Sequence, residues 1–215
     1  MQNIWKLSLA ALLLSTSPSL AQTDEQPAPA QDRPVEGLQL GEQVADDAAA
    51  AEDGPGSVYQ KEISGDWEVR CVRVEEGELE PCNLYQLLKD GNGNNVAEIT
   101  MFALPTGNDA AAGAQIITPL ETLLTRQITL RVDNGPAKRY QFNFCTRIGC
   151  FSQVGFTEAE VQSFRRGNAA TLTIVPVGAP ADTTVDLTVS LTGFTAGFNM
   201  VKEAADAIAA AAQQE

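Results

Sequence analysis

Four cysteines, at positions 71, 82, 145 and 150, are the residues of this chain with the most chemical potential. They could form disulfides, a redox dithiol or a zinc centre. A redox pair calls for Cys-x-x-Cys, which the spacing lacks, and a four-thiolate zinc site calls for tighter paired spacing and a reducing compartment. Sequence proximity instead predicts two structural disulfides, Cys71 with Cys82 and Cys145 with Cys150, each closing a segment that can fold back as a hairpin or turn. Loop closure makes the first worth roughly 3 kcal/mol and the second roughly 2 kcal/mol.

Other chemistry is scarce. The chain has no histidine, which removes the usual general base, the Ser-His and Cys-His nucleophile pairs and the commonest zinc and haem ligand. Asp90-Gly91-Asn92-Gly93-Asn94-Asn95 begins like a calcium loop, then places Asn95 where a glycine is wanted and Met101 where a bidentate Glu is required; a hairpin turn at Asn92-Gly93 is expected there instead. Carboxylates are numerous, but no spacing singles out a pair for acid and base work, and no Gly-x-Ser-x-Gly elbow occurs. Arg165-Arg166 beside Phe164 could hold an anionic ligand, but reads first as a solvated helix end, which favours cations. No catalytic, metal-binding or cofactor-binding residue is expected.

The elements that carry these residues are short. From Val58 onward, apolar residues alternate in brief runs broken by Gly, Asn and Pro, the pattern of an antiparallel β protein. Trp67, Val69 and Cys71 share one strand face, as do Ile128, Leu130 and Val132, then Tyr140, Phe142 and Phe144, and finally Val185, Leu187, Val189 and Leu191. Asn134-Gly135 predicts a tight hairpin turn between the second and third of these runs. Further strands are expected at 84–88, 96–103, 114–118, 151–154 and 170–175, about nine in all, the usual number for a sandwich or barrel. Thr157-Glu158-Ala159-Glu160 is a capping box that opens a helix, with Gly167 expected to close it in the left-handed conformation. A second helix is expected from about Thr195 to Ala212, with Phe198, Val201, Ala205 and Ile208 on its packing face.

Residues 1–21 have the parts of a cleaved signal peptide: Lys6, an apolar run from Leu7 to Leu14 and Ser19-Leu20-Ala21 as the cleavage site. The run is too short to span a bilayer, and no later stretch approaches the roughly 20 apolar residues of a membrane helix. After cleavage the charge is 13 basic minus 28 acidic residues, or −15, which argues against nucleic acid and anionic lipid as partners. Residues 22–57 hold nine acidic residues, one basic residue and four prolines, and lack any aromatic. They are expected to form a disordered acidic leader before a single domain at 58–215.

Taken in order, Asp66-Trp67-x-Val69-x-Cys71, Cys82 with Gln86, Phe144-Cys145 with Gly149-Cys150, Phe164-Arg165-x-Gly167 and Ser190-Leu191-x-Gly193-Phe194 resemble the invasion-associated locus B family of bacterial envelope proteins. The resemblance spans nearly all of residues 62–210; Pro119-Leu120-Glu121 stands where a Pro-x-Gly is associated with the family. It implies an immunoglobulin-like antiparallel β-sandwich with a short internal helix and a C-terminal helix. It also implies export to the periplasm or outer membrane and a non-enzymatic role in envelope function or host-cell invasion. No catalytic residue carries over. The cysteines carry over as disulfides, Trp67 as a core residue and Ser190 to Phe194 as the junction of the last strand and the C-terminal helix.

The expected function is contact with another envelope or host protein through sandwich loops or a sheet edge. Two other classes compete with it. An enzyme acting on envelope polysaccharide would need two acids facing one cleft at roughly 5 to 10 Å, and a periplasmic small-ligand carrier would need a sizeable apolar pocket.

Overall fold

The computed structural model describes residues 54–105, 109–180 and 182–214. The expected signal peptide and leader lie outside the described residues, except for 54–57. There, Gly56 donates its N–H to the Arg73 carbonyl, so the domain takes in these four residues as well.

The strands are β1 (Val58–Ser64), β2 (Trp67–Val72), β3 (Cys82–Lys89), β4 (Asn95–Ala103), β5 (Ala112–Thr118), β6 (Ile128–Val132), β7 (Lys138–Tyr140), β8 (Phe144–Thr146), β9 (Gly149–Phe156), β10 (Ala169–Ile174) and β11 (Val185–Ser190). Helix α1 (Glu158–Arg166) lies between β9 and β10, and α2 (Phe194–Ala211) follows β11. Every pairing is antiparallel, in the order β7-β6-β10-β11-β3-β4-β5-β9-β8, with β2 and then β1 branching from β3.

This corrects the expected immunoglobulin-like sandwich: the strands form one curled sheet, a half-barrel, in place of two facing sheets. Two features account for the curl. Gly113 lies directly opposite Gly155 across β5 and β9, so no side chain resists bending there, and the Phe102 ring covers the Gly113 backbone where a Cβ would sit. The inner face is filled by helices where a sandwich would place a second sheet. Phe156 of β9, Phe164 of α1 and Phe194 and Phe198 of α2 form a chain of ring contacts, with centroids 5.0 to 5.5 Å apart, and Trp67 joins it 5.6 Å from Phe194. All five are buried. At roughly 1.5–3 kcal/mol for each large apolar side chain removed from water, this cluster is a major stabilising element.

Helix α1 begins at the expected capping box: Thr157 Oγ1 accepts from Glu160 N, and Glu160 Oε2 accepts from Thr157 N. Gly167 departs from expectation, with φ −77° and ψ 163°, an extended conformation open to any residue. Glycine is required there by space, since a Cβ would come within 2.6 Å of Val132 Cγ1 and 2.8 Å of Leu191 Cδ1. Helix α2 buries Phe198 and Val201 of its expected face, while Ala205 and Ile208 are half-buried.

Two further expectations fail locally. The run Tyr140-Phe142-Phe144 is two strands, because the chain leaves β6 after Tyr140 and reaches β9 at Phe144. In between, Ser152 donates its hydroxyl to the Gln141 carbonyl and Asn143 its N–H to the Phe151 carbonyl. The β6–β7 turn puts its positive φ, 45°, on Asp133, not on Asn134-Gly135. Asp133 is held there by accepting from the N–H groups of Asn168 and Ala169 with its carboxylate.

Candidate functional site

Part of the set that carries the family resemblance, Asp66, Trp67, Gln86, Ser190, Gly193 and Phe194, meets at one place, where β2, β3 and β11 come together under α2. Trp67 is buried and donates its indole N–H to the Ser190 carbonyl at 2.7 Å. Gln86, also buried, donates to the Asp66 and Ser190 carbonyls and accepts from Ser190 N at 2.8 Å. The Ser190 hydroxyl donates to the Asp66 carboxylate and accepts from Thr192 N. Gly65 and Gly193 have φ of 60° and 82°, and their backbones approach so closely that a Cβ on either would strike the other's segment. Phe194 then starts α2 with its ring fully buried. The cluster's donors and acceptors are spent on one another, so it works as a latch between chain segments more than 100 residues apart.

The disulfides are Cys71–Cys82, across β2 and β3, and Cys145–Cys150, across β8 and β9. The second closes a hairpin whose tip is Arg147-Ile148. Gly149 packs its backbone on Ile117 and Thr118, which leaves no room for a Cβ, so the tip is held against β5. Ile148 is 75% exposed, the most exposed of the large hydrophobic residues described.

Beside this tip lies a row of side chains that only the strand register brings together. Leu87 pairs with Glu98, Glu98 with Ile117, Ile117 with Phe151 and Phe151 with Phe144, so one line crosses β3, β4, β5, β9 and β8. Leu84 and Leu88 of β3 face the core, and the row lies on the opposite face. Phe144 stacks on Phe151, with ring centroids 4.8 Å apart, and remains 48% exposed; Leu87 is 41% exposed. Glu98 accepts from the Tyr85 hydroxyl at 2.9 Å, and burial together with that carboxylate raises the Tyr85 pKa. The Arg70 guanidinium lies 3.2 Å from the Tyr85 ring centroid and pairs with Glu68. A row of apolar side chains interrupted by one hydrogen-bonded carboxylate, Glu98, with Leu87 and Phe144 exposed at its ends, is a mixed surface of the kind found at interaction sites.

The other sequence candidates are dispersed. Asp90 accepts from Asn92 and Asn94 in the β3–β4 turn, and Asn94 is the main reason its pKa is lowered. Arg165 donates to Asn199 Oδ1 and tethers α1 to α2. A groove of about 320 Å³ opens between α1 and the β6–β7 hairpin, over Leu130, Val132 and Phe164, near the small end of ligand pockets. Of its charged residues Asp133, Lys138 and Glu160 are engaged internally, and Arg166 is exposed at its edge. Glu160 accepts from Lys138 at 2.8 Å and from Tyr140 at 3.0 Å. Burial works to raise the Glu160 pKa, but Lys138, Thr157 and Tyr140 together outweigh it and hold the carboxyl at about 2. The Tyr140 hydroxyl is raised in turn, by burial and by Glu160. Among the described residues, no three Cys, Asp or Glu side chains gather as a metal site, and no helix is long and apolar enough to cross a membrane.

Comparison with known proteins agrees with this geometry. No curated protein matches the chain. A crystal structure of invasion associated protein B from Bartonella henselae has a similar fold, with a TM-score of 0.55 and 21% identity over 66% of this chain and 94% of that one. The model of the invasion associated locus B (IalB) protein family matches residues 67–202, from the latch tryptophan into α2. Since that match takes in well over half of the sequence, the chain belongs to the invasion associated locus B family.

Proposed function

We propose that this chain is an exported protein of the bacterial envelope that acts by contact with another protein and not by turning over a substrate. The observation that carries this reading is the row Leu87, Ile117, Phe151 and Phe144 beside the disulfide-closed Ile148 tip. The sheet register places these side chains on the face away from the main core, where Phe151 is buried against Phe144 while Leu87 and Phe144 stay exposed. The two disulfides and the family support export, because such bonds persist in oxidising compartments; the periplasm or the outer membrane is the location we favour. Invasion of host cells is the role the family name suggests for the contact.

The acids described in most detail are engaged in structure: Glu68 with Arg70, Glu80 with Tyr59 and Lys61, Glu98 with Tyr85, and Glu160 with Lys138. Complementation of a strain lacking this protein tests the reading. Single Asp or Glu to Ala variants across residues 58–214 should restore function, whereas Leu87→Asp with Ile148→Asp should fold, be exported and fail to restore it. A folded, exported single-acid variant that is inert would favour an enzyme instead, since loss of a general acid costs at least about 100-fold in rate.

A further inference from the structure

The curled sheet has a gap in its seam. β7 pairs with β6 as far as Tyr140, opposite Ile128, and the pairing stops there. β8 begins four residues later and pairs with β9 alone, so among the described residues its other edge has no strand partner. A backward continuation of β6 would lie along that edge. The chain there is instead a single 3-10 turn, Leu124–Arg126, followed by Gln127 at φ 60° and ψ 170°, backbone territory that belongs almost entirely to glycine. Between this turn and β8 runs a groove of about 280 Å³ lined by Leu124, Gln127, Phe142 and Phe144.

The stretch of chain that forms the groove carries a charge opposite to that of the molecule. From Thr122 to Thr157 the chain carries Arg126, Arg131, Lys138, Arg139 and Arg147 against the single acid Asp133, within a mature chain of 13 basic and 28 acidic residues. Asp133 is occupied by the N–H groups of Asn168 and Ala169, and Lys138 by Glu160. The four arginines are exposed, and none is ion-paired with a described residue. Arg126 sits on the turn at one wall of the groove, and Arg147 at the hairpin tip where β8 ends.

We infer that this seam takes an extended, acidic segment of a partner protein, which adds a strand to the free edge of β8. The inference rests on the protein-contact reading above and gives the partner its chemistry. Backbone pairing with β8 would supply affinity, an apolar residue would enter between Leu124, Phe142 and Phe144, and flanking acids would meet Arg126 and Arg147. The added strand would also extend the row that ends at Phe144. A second copy fits less well, because two-fold antiparallel pairing of β8 with β8 would set Arg147 of each copy beside the groove of the other, where Arg126 sits, so that like charges meet.

The test uses the full mature chain and three fluorescein-labelled ten-residue peptides, read by anisotropy up to millimolar protein. The peptides alternate valine with glutamate, valine with lysine, or valine with glutamate and carry two prolines that prevent strand pairing. The valine–glutamate peptide should bind and weaken as salt rises, and each of the other two should bind at least about tenfold more weakly. Arg126→Glu with Arg147→Glu should cost about tenfold without changing the melting temperature, and Leu124→Asp should also weaken binding. No binding, equal binding of the lysine or proline peptide, or indifference to the arginine reversals would overturn the inference, as would a dimer in sedimentation that the reversals dissociate. If the seam variants still complement in cells while Leu87→Asp with Ile148→Asp does not, the seam inference fails and the protein-contact reading stands.

Discussion

Trp67 and Ser190 are 123 residues apart, and the indole N–H of the first donates to the carbonyl of the second at 2.7 Å. Gln86 completes the arrangement with three hydrogen bonds of its own to backbone groups of Asp66 and Ser190. These residues are therefore structural: they fix β11 and the start of α2 against β2 and β3.

Replacement of Gln86 by Leu should show this directly. It keeps the bulk but strands the Ser190 N–H and two carbonyls, and a buried polar group left unpaired costs about 1–3 kcal/mol. Equilibrium denaturation should show a loss of about 2 kcal/mol or more. A loss within 0.5 kcal/mol, roughly that of an ordinary surface change, would mean that water replaces the side chain and the latch is dispensable.

Gly193→Ala should be severe and Gly178→Ala mild. Both glycines have positive φ, 82° and 73°, which costs a non-glycine residue roughly 1–2 kcal/mol. A Cβ at 193 would also run into the Ser64 backbone, whereas one at 178 meets nothing within 4 Å. The first variant should lose about 3 kcal/mol or more in a thermal or denaturant melt, and the second about 1. Equal effects would contradict the close approach.

Glu160 gives the fold a pH dependence of known sign. Its folded pKa of about 2 lies below the ordinary 4.5, so its contribution is fully present above about pH 4.5 and disappears as pH falls toward 2. The stability difference between the wild type and Glu160→Gln should be constant from pH 7 to 5 and shrink below that. A difference that persists unchanged at pH 2 would mean that the Lys138 and Tyr140 contacts do not depend on the charge.

Much of this architecture is legible in the sequence. The alternation of Trp67, Val69 and Cys71 and of Leu187, Val189 and Leu191 marks two buried strand faces, because period-two burial depends only on local pleat. The capping box at Thr157 and Glu160 is likewise local, and so is the short spacing within each disulfide. What escapes is set by distant partners. β1 shows no alternation, since it is an edge strand with a bulge between Gln60 and Glu62. Tyr140-Phe142-Phe144 looks like one strand because alternation cannot reveal that its two ends pair with different neighbours. A curled sheet packed on helices and a sandwich of two sheets give the same periodicity, so the immunoglobulin-like expectation could not be tested until the pairings were known. The row from Leu87 to Phe144 is illegible for the same reason, as it needs the register of five strands. One signal was available for the seam: five basic residues against one acid in an otherwise acidic chain.

The two disulfides should separate stability from display. Serine in place of Cys71 and Cys82 should cost about 3 kcal/mol, and in place of Cys145 and Cys150 about 2 kcal/mol, from loop closure alone. The second pair should nevertheless do more damage to complementation, because it frees the tip that carries Ile148. Protein that melts 2 kcal/mol lower yet complements fully would show that a rigid tip is unnecessary.

The contact claim is tested most directly by a photo-crosslinking amino acid placed at Ile148, and separately at Leu79, in the full chain exported by its own cells. Both residues are exposed, at 75% and 48%, but only Ile148 lies beside the row and the seam. The account predicts that illumination joins the Ile148 position to one discrete protein, identifiable by mass spectrometry, and that the Leu79 position gives none. The absence of any adduct from Ile148, or the same adducts from both positions, would contradict it.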